Sequence, residues 1–181
     1  MQFEPTRIPD VILIRPKVFS DDRGFFFECW HQQLLAQAGI VASFVQENQS
    51  HSVRHTLRGL HYQILQPQGK LVRVLAGEVF DVAVDLRRDS ATFGKWVGAV
   101  LSADNRHSLW VPPRFAHGFV ALSETADVAY TCTDFYAPKH ERIIRWDDAD
   151  LGIDWLLPPG GAPLVSGRDR AGLAFRDSEY F

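Results

Sequence analysis

The segment Arg58–Gln63 carries a titratable base, His61, and Lys70 follows nine residues after it. A neutral imidazole can accept a proton near pH 7, and an ammonium group can stabilise a developing oxyanion. The turn Pro67-Gln68-Gly69 separates the two residues, which predicts a hairpin and places them across from each other. The structural alternative is a hydrogen-bonded core histidine and a solvated turn lysine, and this segment alone does not decide between them.

Strand alternation predicts which side chains share a surface. Arg58 and His61 are three residues apart, so strict alternation would place them on opposite faces. Gly59 lies between them, where a β-bulge would bring both to one face. In the predicted strand Val79–Leu86, Phe80, Val82 and Val84 fall on one face and Asp81 and Asp85 on the other. Tyr130 and Tyr136 are six apart and are expected to point the same way.

The sequence predicts many short strands and few helices. Turn signals separate the predicted strands Val11–Arg15, Thr56–Leu65, Leu71–Leu75, Val79–Leu86, Trp96–Leu101, His107–Val111, Gly118–Leu122 and Ala126–Tyr136. One helical window spans Trp30–Ala38, with Gly39 as its cap. From Asp147 on, the sequence predicts a loop-like tail wrapped against the body. This pattern predicts an all-β antiparallel barrel or jelly roll with a few short helices.

Composition narrows the class of protein. With 181 residues, a single domain with a substantial core is expected, and the net charge of -3 is untypical of a nucleic-acid binder. No apolar run approaches the length of a membrane span, and the first residues lack the order of a signal peptide. Cys29 and Cys132 lie among apolar residues, which favours reduced thiols. We therefore expect a cytoplasmic protein with no nucleic-acid or membrane partner.

Ordered motifs extend along nearly the whole chain. They are DxRGxFxE at Asp21–Glu28, QxNxS at Gln46–Ser50, LRGLHYQ at Leu57–Gln63, QGKLVRV at Gln68–Val74, GEVFDVAVDLRRDSATFGKW at Gly77–Trp96, LWVPPRFAHGF at Leu109–Phe119, YTCTDFY at Tyr130–Tyr136 and ERIIRWDD at Glu141–Asp148. The chain in this respect resembles the dTDP-4-dehydrorhamnose 3,5-epimerase family of nucleotide-sugar biosynthesis. The resemblance implies one cupin-like jelly-roll domain over residues 1–181. It also implies an N-terminal strand/helix extension and a C-terminal tail that folds over the barrel.

The resemblance implies inversion of C3 and C5 of dTDP-4-keto-6-deoxy-D-glucose, giving dTDP-4-keto-L-rhamnose. Removal of a proton next to the C4 carbonyl gives an enolate, so the reaction needs a base, an acid on the opposite face and a donor to the oxygen. The family pattern assigns these roles to His61, Tyr130 and Lys70. To orient His61 it implies Asp169, in the stretch Ser166-Gly167-Arg168-Asp169, and Asp81 is the competing carboxylate.

The remaining matched residues suit a nucleotide diphosphate. Arg23 and Arg58 are forked cationic donors for pyrophosphate oxygens. The resemblance adds further substrate-binding residues, which are Phe25, Glu28, Gln46, Glu47, Asn48, Lys70, His117, Phe119, Tyr136, Glu141 and Arg168. The phenylalanines could instead pack in the core. Glu28 could instead form a surface ion pair with Arg23. Arg168 stands where lysine is common in the family, and Arg114 where glycine is usual.

Neither a metal nor another cofactor is expected. His61 and His117 lie in apolar, strand-like segments, whereas the other five histidines lie among polar residues. Metal-binding cupins use a His-x-His pair followed by Glu, but Gln63 occupies the position of the second histidine and the next Glu is Glu78. Two isolated imidazoles fall short of the three protein ligands that a catalytic metal needs.

Alternatives within and beyond enzymes stay open. A mono-epimerase acting at C3 or C5 alone could keep the same residues, while Tyr130 disfavours a 3,4-ketoisomerase of the same fold. A non-catalytic nucleotide-sugar binding cupin would need the arginines but no acid–base pair. The family resemblance also implies a homodimer, for which the apolar strand Val11–Ile14 could supply an edge.

Overall fold

The computed structural model describes residues 1–181 and is built mainly from short strands. In chain order the strands are β1 (Gln2–Pro5), β2 (Ile12–Arg15), β3 (Val18–Asp21), β4 (Gly24–Phe27), β5 (Gln46–Val53), β6 (Thr56–Gln63), β7 (Lys70–Ala76), β8 (Glu78–Asp85), β9 (Trp96–Ser102), β10 (Ser108–Val111), β11 (Phe115–Ala121), β12 (Thr125–Cys132), β13 (Glu141–Ile143) and β14 (Leu164–Val165). The helices are α1 (Gln32–Gln37) and α2 (Gly167–Arg170), with 3₁₀ turns at Pro138–His140 and Phe175–Asp177.

Two antiparallel sheets enclose the core. The first has the strand order β1-β2-β10-β7-β12-β5, and the second has the order β13-β6-β11-β8-β9, with β14 added in parallel to β6. Inward-facing side chains of both sheets, such as Val72, Leu109, Ala83 and Phe119, form one buried cluster between them. The hairpin β3–β4 pairs only with itself. The prediction of an all-β fold with few helices is confirmed.

A second cluster covers the outer face of the second sheet. Val82 and Val84 of β8 pack there with Tyr62 and with Trp155 of the tail. Asp81 and Asp85 lie on the opposite face, as strand alternation predicts, and both are fully buried. The tail from Asp147 on packs largely on the outside of this sheet, and its helix α2 contacts His61.

A bulge in β6 brings Arg58 and His61 to one face. In the pairing with β11, His61 lies opposite His117, but Arg58 lies opposite Phe119, so β6 holds one extra residue between them. Gly59 has φ +139°, and a Cβ there would lie 2.6 Å from the Cα of Gly118. Only glycine fits this close approach of two backbones, and the predicted bulge is confirmed.

Some element boundaries differ from the prediction. Helix α1 begins at Gln32 instead of Trp30, because His31 is extended and Trp30 packs edge-on against Phe44. Strand β12 ends at Cys132, because Thr133 instead bonds both backbone groups of Gly69. Tyr136 therefore lies beyond the strand, and alternation does not govern its direction.

Strand β2 does not provide the expected sheet edge. It lies between β1 and β10 and pairs with both, so its backbone groups are used within the chain. The expectation that Val11–Ile14 supplies an edge is wrong, because β1 folds back on β2 and covers it. The edges of this sheet are β1 and β5. None of the helices is long and apolar enough to cross a lipid bilayer.

Candidate active site

Strands of both sheets and the segment that follows β12 line a cavity of about 250 Å³. Its lining is mostly polar and consists of Gln46, Asn48, His61, Tyr62, Gln63, Gln68, Lys70, Tyr130, Tyr136 and Glu141. Three of the four predicted catalytic residues, His61, Lys70 and Tyr130, are therefore in one cavity. The fourth, Asp169, contacts His61 from behind.

His61 and Asp169 form a hydrogen-bonded pair. His61 Nε2 lies 2.5 Å from Asp169 Oδ1, and Asp169 is almost fully buried. Helix α2 positions the carboxylate, because the Ser166 side chain caps it by accepting from the Asp169 backbone N–H at 3.1 Å. Burial would raise the pKa of Asp169, but the hydrogen bond and charge of His61, together with the hydrogen bonds from Ser166 and the Gly59 backbone, outweigh it and the pKa is lowered. A carboxylate here holds the imidazole in one tautomer, leaving Nδ1 as the free nitrogen.

Lys70 and Tyr130 lie together in the cavity on neighbouring strands. Lys70 Nζ is 5.8 Å from the centroid of the Tyr130 ring and has no hydrogen-bond acceptor in the protein. Burial lowers the pKa of Lys70, although the charges of Cys132, Asp81 and Glu141 oppose this, and burial raises the pKa of Tyr130. The phenol thus keeps its proton at neutral pH, as a general acid must.

Asp81 pairs with His117 and not with His61. His117 Nε2 lies 2.9 and 3.0 Å from the two oxygens of Asp81, and both residues are buried. The competing hypothesis, in which Asp81 orients His61, is wrong because the next strand places His117 in front of that carboxylate. His117 does not line the cavity, although its ring centroid is 6.4 Å from that of Tyr130.

A chain of hydrogen bonds organises the cavity rim. The Tyr136 backbone N–H donates to Gln46 Oε1, and the Gln46 amide donates to Asn48 Oδ1, both at 2.9 Å. The Tyr136 hydroxyl donates to Glu141 Oε2 at 2.8 Å, and Arg168 donates to the same oxygen. Burial would raise the pKa of Glu141, but the bonds from Arg168 and Tyr136 outweigh it and lower the pKa.

A groove beside the cavity carries Arg58, one of the two arginines predicted to bind pyrophosphate, whereas the other, Arg23, lies on the β3–β4 hairpin. The groove has a volume of about 440 Å³ and is lined by Arg58 and Arg168 together with His61 and Asp169. The Arg58 guanidinium bonds Ser52 Oγ and the His51 carbonyl but no carboxylate. Because no carboxylate neutralises Arg58, its charge is available to an anion next to the imidazole.

Besides His117, five predicted binding residues lie away from this cavity and its neighbouring groove. Arg23 and Phe25 are exposed on the β3–β4 hairpin and Glu28 directly follows it, whereas Glu47 points to the outer face of β5 and Phe119 is buried in the core. Arg23 pairs with Asp21 of the hairpin itself, so the ion pair with Glu28 is not formed. Phe119 packs in the core, which was the alternative given above for the phenylalanines.

Residue patterns did not single out Tyr62, Gln63 and Gln68 as cavity residues. Gln63 belongs to the LRGLHYQ motif and Gln68 to QGKLVRV, so motif membership was the available signal. Gln63 uses its amide to donate to the carbonyls of Gln66 and Phe135, which fixes the chain around the cavity. The structure contains no cluster of three or more His, Cys, Asp or Glu side chains arranged to hold a metal ion.

Comparison with known proteins identifies the relatives of this chain. The family model of dTDP-4-dehydrorhamnose 3,5-epimerase matches residues 5–177. The dTDP-4-dehydrorhamnose 3,5-epimerase of Pseudomonas aeruginosa is 61% identical over 175 residues, covering 96% of each chain. That of Shigella flexneri is 51% identical over 179 residues, covering 97% of each chain.

Solved structures agree with these relatives. The dTDP-6-deoxy-D-glucose-3,5-epimerase of Legionella pneumophila, crystallised with dTDP-4-keto-L-rhamnose, superposes with a TM-score of 0.94 at 47% identity. The match covers 98% of this chain and 94% of that one. Fold and relatives together define a cupin-like isomerase that acts on carbohydrates. The chain belongs to the dTDP-4-dehydrorhamnose 3,5-epimerase family.

Proposed function

We propose that this enzyme inverts C3 and C5 of dTDP-4-keto-6-deoxy-D-glucose to give dTDP-4-keto-L-rhamnose, with His61 as the base and Tyr130 as the acid. The observation that carries the proposal is the shared cavity of His61, Lys70 and Tyr130, with Asp169 bonded to the imidazole. An imidazole and a protonated phenol in one cavity are the pair that a two-face proton transfer requires.

Each inversion moves two protons. His61 Nδ1 takes the proton from the carbon next to the C4 carbonyl, and the C–H electrons pass into the enolate, whose charge develops on O4. The Lys70 ammonium stabilises that oxygen, and removing such a donor typically costs roughly 10²–10³ in rate. Tyr130 then returns a proton to the opposite face of the same carbon. Exchange with solvent restores His61 and Tyr130 before the second carbon reacts.

Nucleotide recognition rests on the rim and the neighbouring groove. Arg58 and Arg168 can donate forked hydrogen bonds to diphosphate oxygens, while Gln46, Asn48 and Tyr136 line the side of the cavity suited to the base. The Legionella relative was crystallised with dTDP-4-keto-L-rhamnose, which supports a dTDP-sugar as the substrate class.

The product formed from dTDP-4-keto-6-deoxy-D-glucose in D₂O tests the proposal. We expect deuterium at both C3 and C5 and the L-configured 4-keto sugar in an NMR time course. The variant His61→Asn should lose nearly all deuterium uptake at both carbons, because one base serves both. Exchange at either carbon at close to the wild-type rate would show that another base acts there.

A mono-epimerase is the second candidate, because a 3′-monoepimerase from Streptomyces bikiniensis superposes with a TM-score of 0.86 at 31% identity. The barrel is therefore compatible with inversion at one carbon. The same time course separates the two functions, since inversion at C3 alone would leave a D sugar and inversion at C5 alone would give an L sugar that keeps the original configuration at C3.

Two further expectations belong to this proposal. The reaction needs no metal, so activity should survive exhaustive chelation. Loss of turnover that one divalent ion restores would contradict this expectation.

The enzyme acts as a homodimer in the cytoplasm, and the exposed aromatic residues Phe19, Phe25 and Phe26 of the hairpin support pairing of copies. A monomeric mass in light scattering at micromolar concentration would contradict the dimer.

A further inference from the structure

A narrow enclosed space adjoins the cavity that holds His61, Lys70 and Tyr130. It has a volume of about 10 Å³, which leaves room for roughly one water molecule. The residues that line both spaces are His61, Tyr62, Gln63, Gln68 and Lys70, whereas those that line the narrow space but not the cavity are Pro67, Arg114, Phe115 and Phe181. This second set therefore stands behind the proposed base and the proposed oxyanion donor, and the proton transfers described above use none of its members.

The segment that contains Phe181 is fixed at this place by its backbone and by Tyr62. The Phe181 N–H donates to the Leu86 carbonyl at 3.2 Å, and the Arg88 N–H donates to the Phe181 carbonyl at 2.9 Å. The Tyr62 hydroxyl donates to the Glu179 carbonyl at 2.6 Å, and the rings of Tyr62 and Phe181 meet edge to face with their centroids 6.2 Å apart. Because Tyr62 belongs to β6, these contacts hold the Phe181 ring against the strand that carries the proposed base.

Arg114 also contacts the Phe181 ring. Its guanidinium carbon lies 6.0 Å from the ring centroid, a distance at which a cation is still attracted to an aromatic face. Arg114 has φ +71°, a region that glycine adopts freely and arginine only with strain. Glycine, which is usual at this position in the family, would fit this backbone but could not contact the ring. The arginine of this chain therefore gives Phe181 a contact that glycine would lack.

We propose that Phe181 is a positioning residue of the active site, whose ring, held by Tyr62 and Arg114, closes the narrow space and keeps bulk water away from His61 and Lys70. The effect on the reaction rests on the proposed function, whereas the closure itself does not. An ammonium group attracts a developing oxyanion more strongly where water is excluded, because the local dielectric constant is lower. The ring thus acts on the reaction through Lys70 without touching the substrate.

A purely structural role for Phe181 is the alternative, and the same tail provides the comparison. Phe175 stacks on Phe93 and Tyr180, with ring centroids 5.6 and 5.1 Å apart, so it is also an aromatic packing residue of the tail. It lines neither the cavity nor the narrow space. Phe175→Ala is therefore the matched control, which should lower the melting temperature without opening the site.

Hydroxyl-radical footprinting tests the closure without substrate. Phe115 lines the narrow space and is 3% exposed, so the wild-type protein should carry little label there. In Phe181→Ala we expect label on Phe115 and additional label on His61, because the missing ring lets water and radicals enter. Phe175→Ala should label both residues as the wild type does. A wild-type level of label on either residue in folded Phe181→Ala would overturn the inference.

Steady-state kinetics test the consequence for the reaction. In Phe181→Ala we expect kcat to fall about tenfold, less than the roughly 10²–10³ that follows loss of an oxyanion donor, because Lys70 itself stays in place. KM should not change, and Phe181→Leu should restore most of kcat because leucine refills the space. Phe175→Ala should keep the wild-type kcat at temperatures where it is folded. An unchanged kcat in folded Phe181→Ala would overturn the role in the reaction.

Arg114→Gly provides a second variant in case Phe181→Ala does not fold, because glycine suits the backbone at φ +71°. It frees the Phe181 ring on one side, so we expect more label on His61 than in the wild type. A wild-type level of label there would overturn the inference. A wild-type protein that does not invert the sugar would contradict the proposed function alone, since the footprinting needs no substrate.

Discussion

At the scale of single residues, solvent access separates two histidines with the same type of partner. His61 reaches the cavity, where a base must meet substrate, whereas His117 is enclosed between the sheets. Both bond a carboxylate through Nε2, so the bond alone does not mark the base. The sequence placed both histidines in apolar strands, and the family resemblance implied Asp169 as the partner of His61. The pairing of Asp81 with His117 was not predicted, because it depends on how β8 and β11 pack together.

Replacing Tyr130 with phenylalanine tests the acid. The variant lacks only the hydroxyl, so packing should barely change, and His61 can still remove a proton that returns to the same face. We expect deuterium exchange without efficient inversion, since loss of a general acid typically costs roughly 10²–10⁴ in rate. Tyr136→Phe is the control and should keep inversion, because it loses only the bond to Glu141. Normal inversion at both carbons in Tyr130→Phe would leave Tyr130 as a packing residue.

Asp169→Asn tests how His61 is oriented. An asparagine can offer its amide N–H to Nε2 and stabilise the wrong tautomer, so we expect kcat to fall by roughly 10²–10⁴ with little change in KM. Asp154→Asn, at an exposed site in the tail, is the control and should behave as the wild type. A kcat within twofold of wild type in Asp169→Asn would contradict the role of this carboxylate.

At the scale of elements, the bulge in β6 sets the geometry of the base. Gly59→Ala would place a Cβ against Gly118 and would force an alanine to adopt φ +139°. We expect a lower melting temperature. We also expect a lower kcat at temperatures where the variant is still folded, because Arg58 and His61 would no longer share a face. Gly167→Ala, with open space and ordinary backbone angles, is the control for a lost glycine. An active, equally stable Gly59→Ala enzyme would show that the bulge is dispensable.

The end of β8 is held by a buried carboxylate. Burial would raise the pKa of Asp85, but hydrogen bonds from Arg87, Ser90 and Thr92 outweigh it and lower the pKa to about 2. Because the folded value lies below the ordinary value of 3.8, this stabilisation is present above pH 4 and is lost as the pH falls towards 2. We expect the free energy of unfolding to fall over that range, and less steeply in Asp85→Asn. Chemical denaturation at several pH values measures this free energy. An equally steep fall in the wild type and in Asp85→Asn would contradict the prediction.

The sequence predicted apolar elements better than polar ones. Strands β6 to β12 were anticipated because runs of β-branched, aromatic and aliphatic residues lie between turn signals, and most residues of these strands are buried. Strand β5, with the sequence QENQSHSV, was missed as a strand because only Ser52 on it is buried. Its alternation also decides that Gln46 and Asn48 face the cavity while Glu47 does not. The predicted binding set contained all three successive residues, because their directions could not be told apart without the strand.

At the scale of the whole molecule, the β3–β4 hairpin gives the dimer proposal a functional test. Arg23 and Phe25 lie outside the cavity of their own chain, so they could serve a site only in another copy. We expect a mixture of His61→Asn and Arg23→Ala proteins, each poorly active alone, to regain activity after subunit exchange, because a mixed dimer holds one intact site. Mixing His61→Asn with Tyr130→Phe is the control. Each subunit of that mixed dimer keeps one change in its own cavity, so neither site is intact and activity should not return. No recovery in the first mixture would contradict a shared site.

The hydrogen-bonded partners His61 and Asp169 are separated by 108 residues along the chain. During synthesis His61, Lys70 and Tyr130 can all emerge and the strands that hold them can pair while Asp169 has yet to be made. A ribosome-bound chain stopped after Val165 should therefore present a nearly finished barrel whose imidazole is free to rotate. If Asp169 has the proposed role, a chain that lacks α2 should turn over the substrate far more slowly than the finished protein, as we expect of Asp169→Asn.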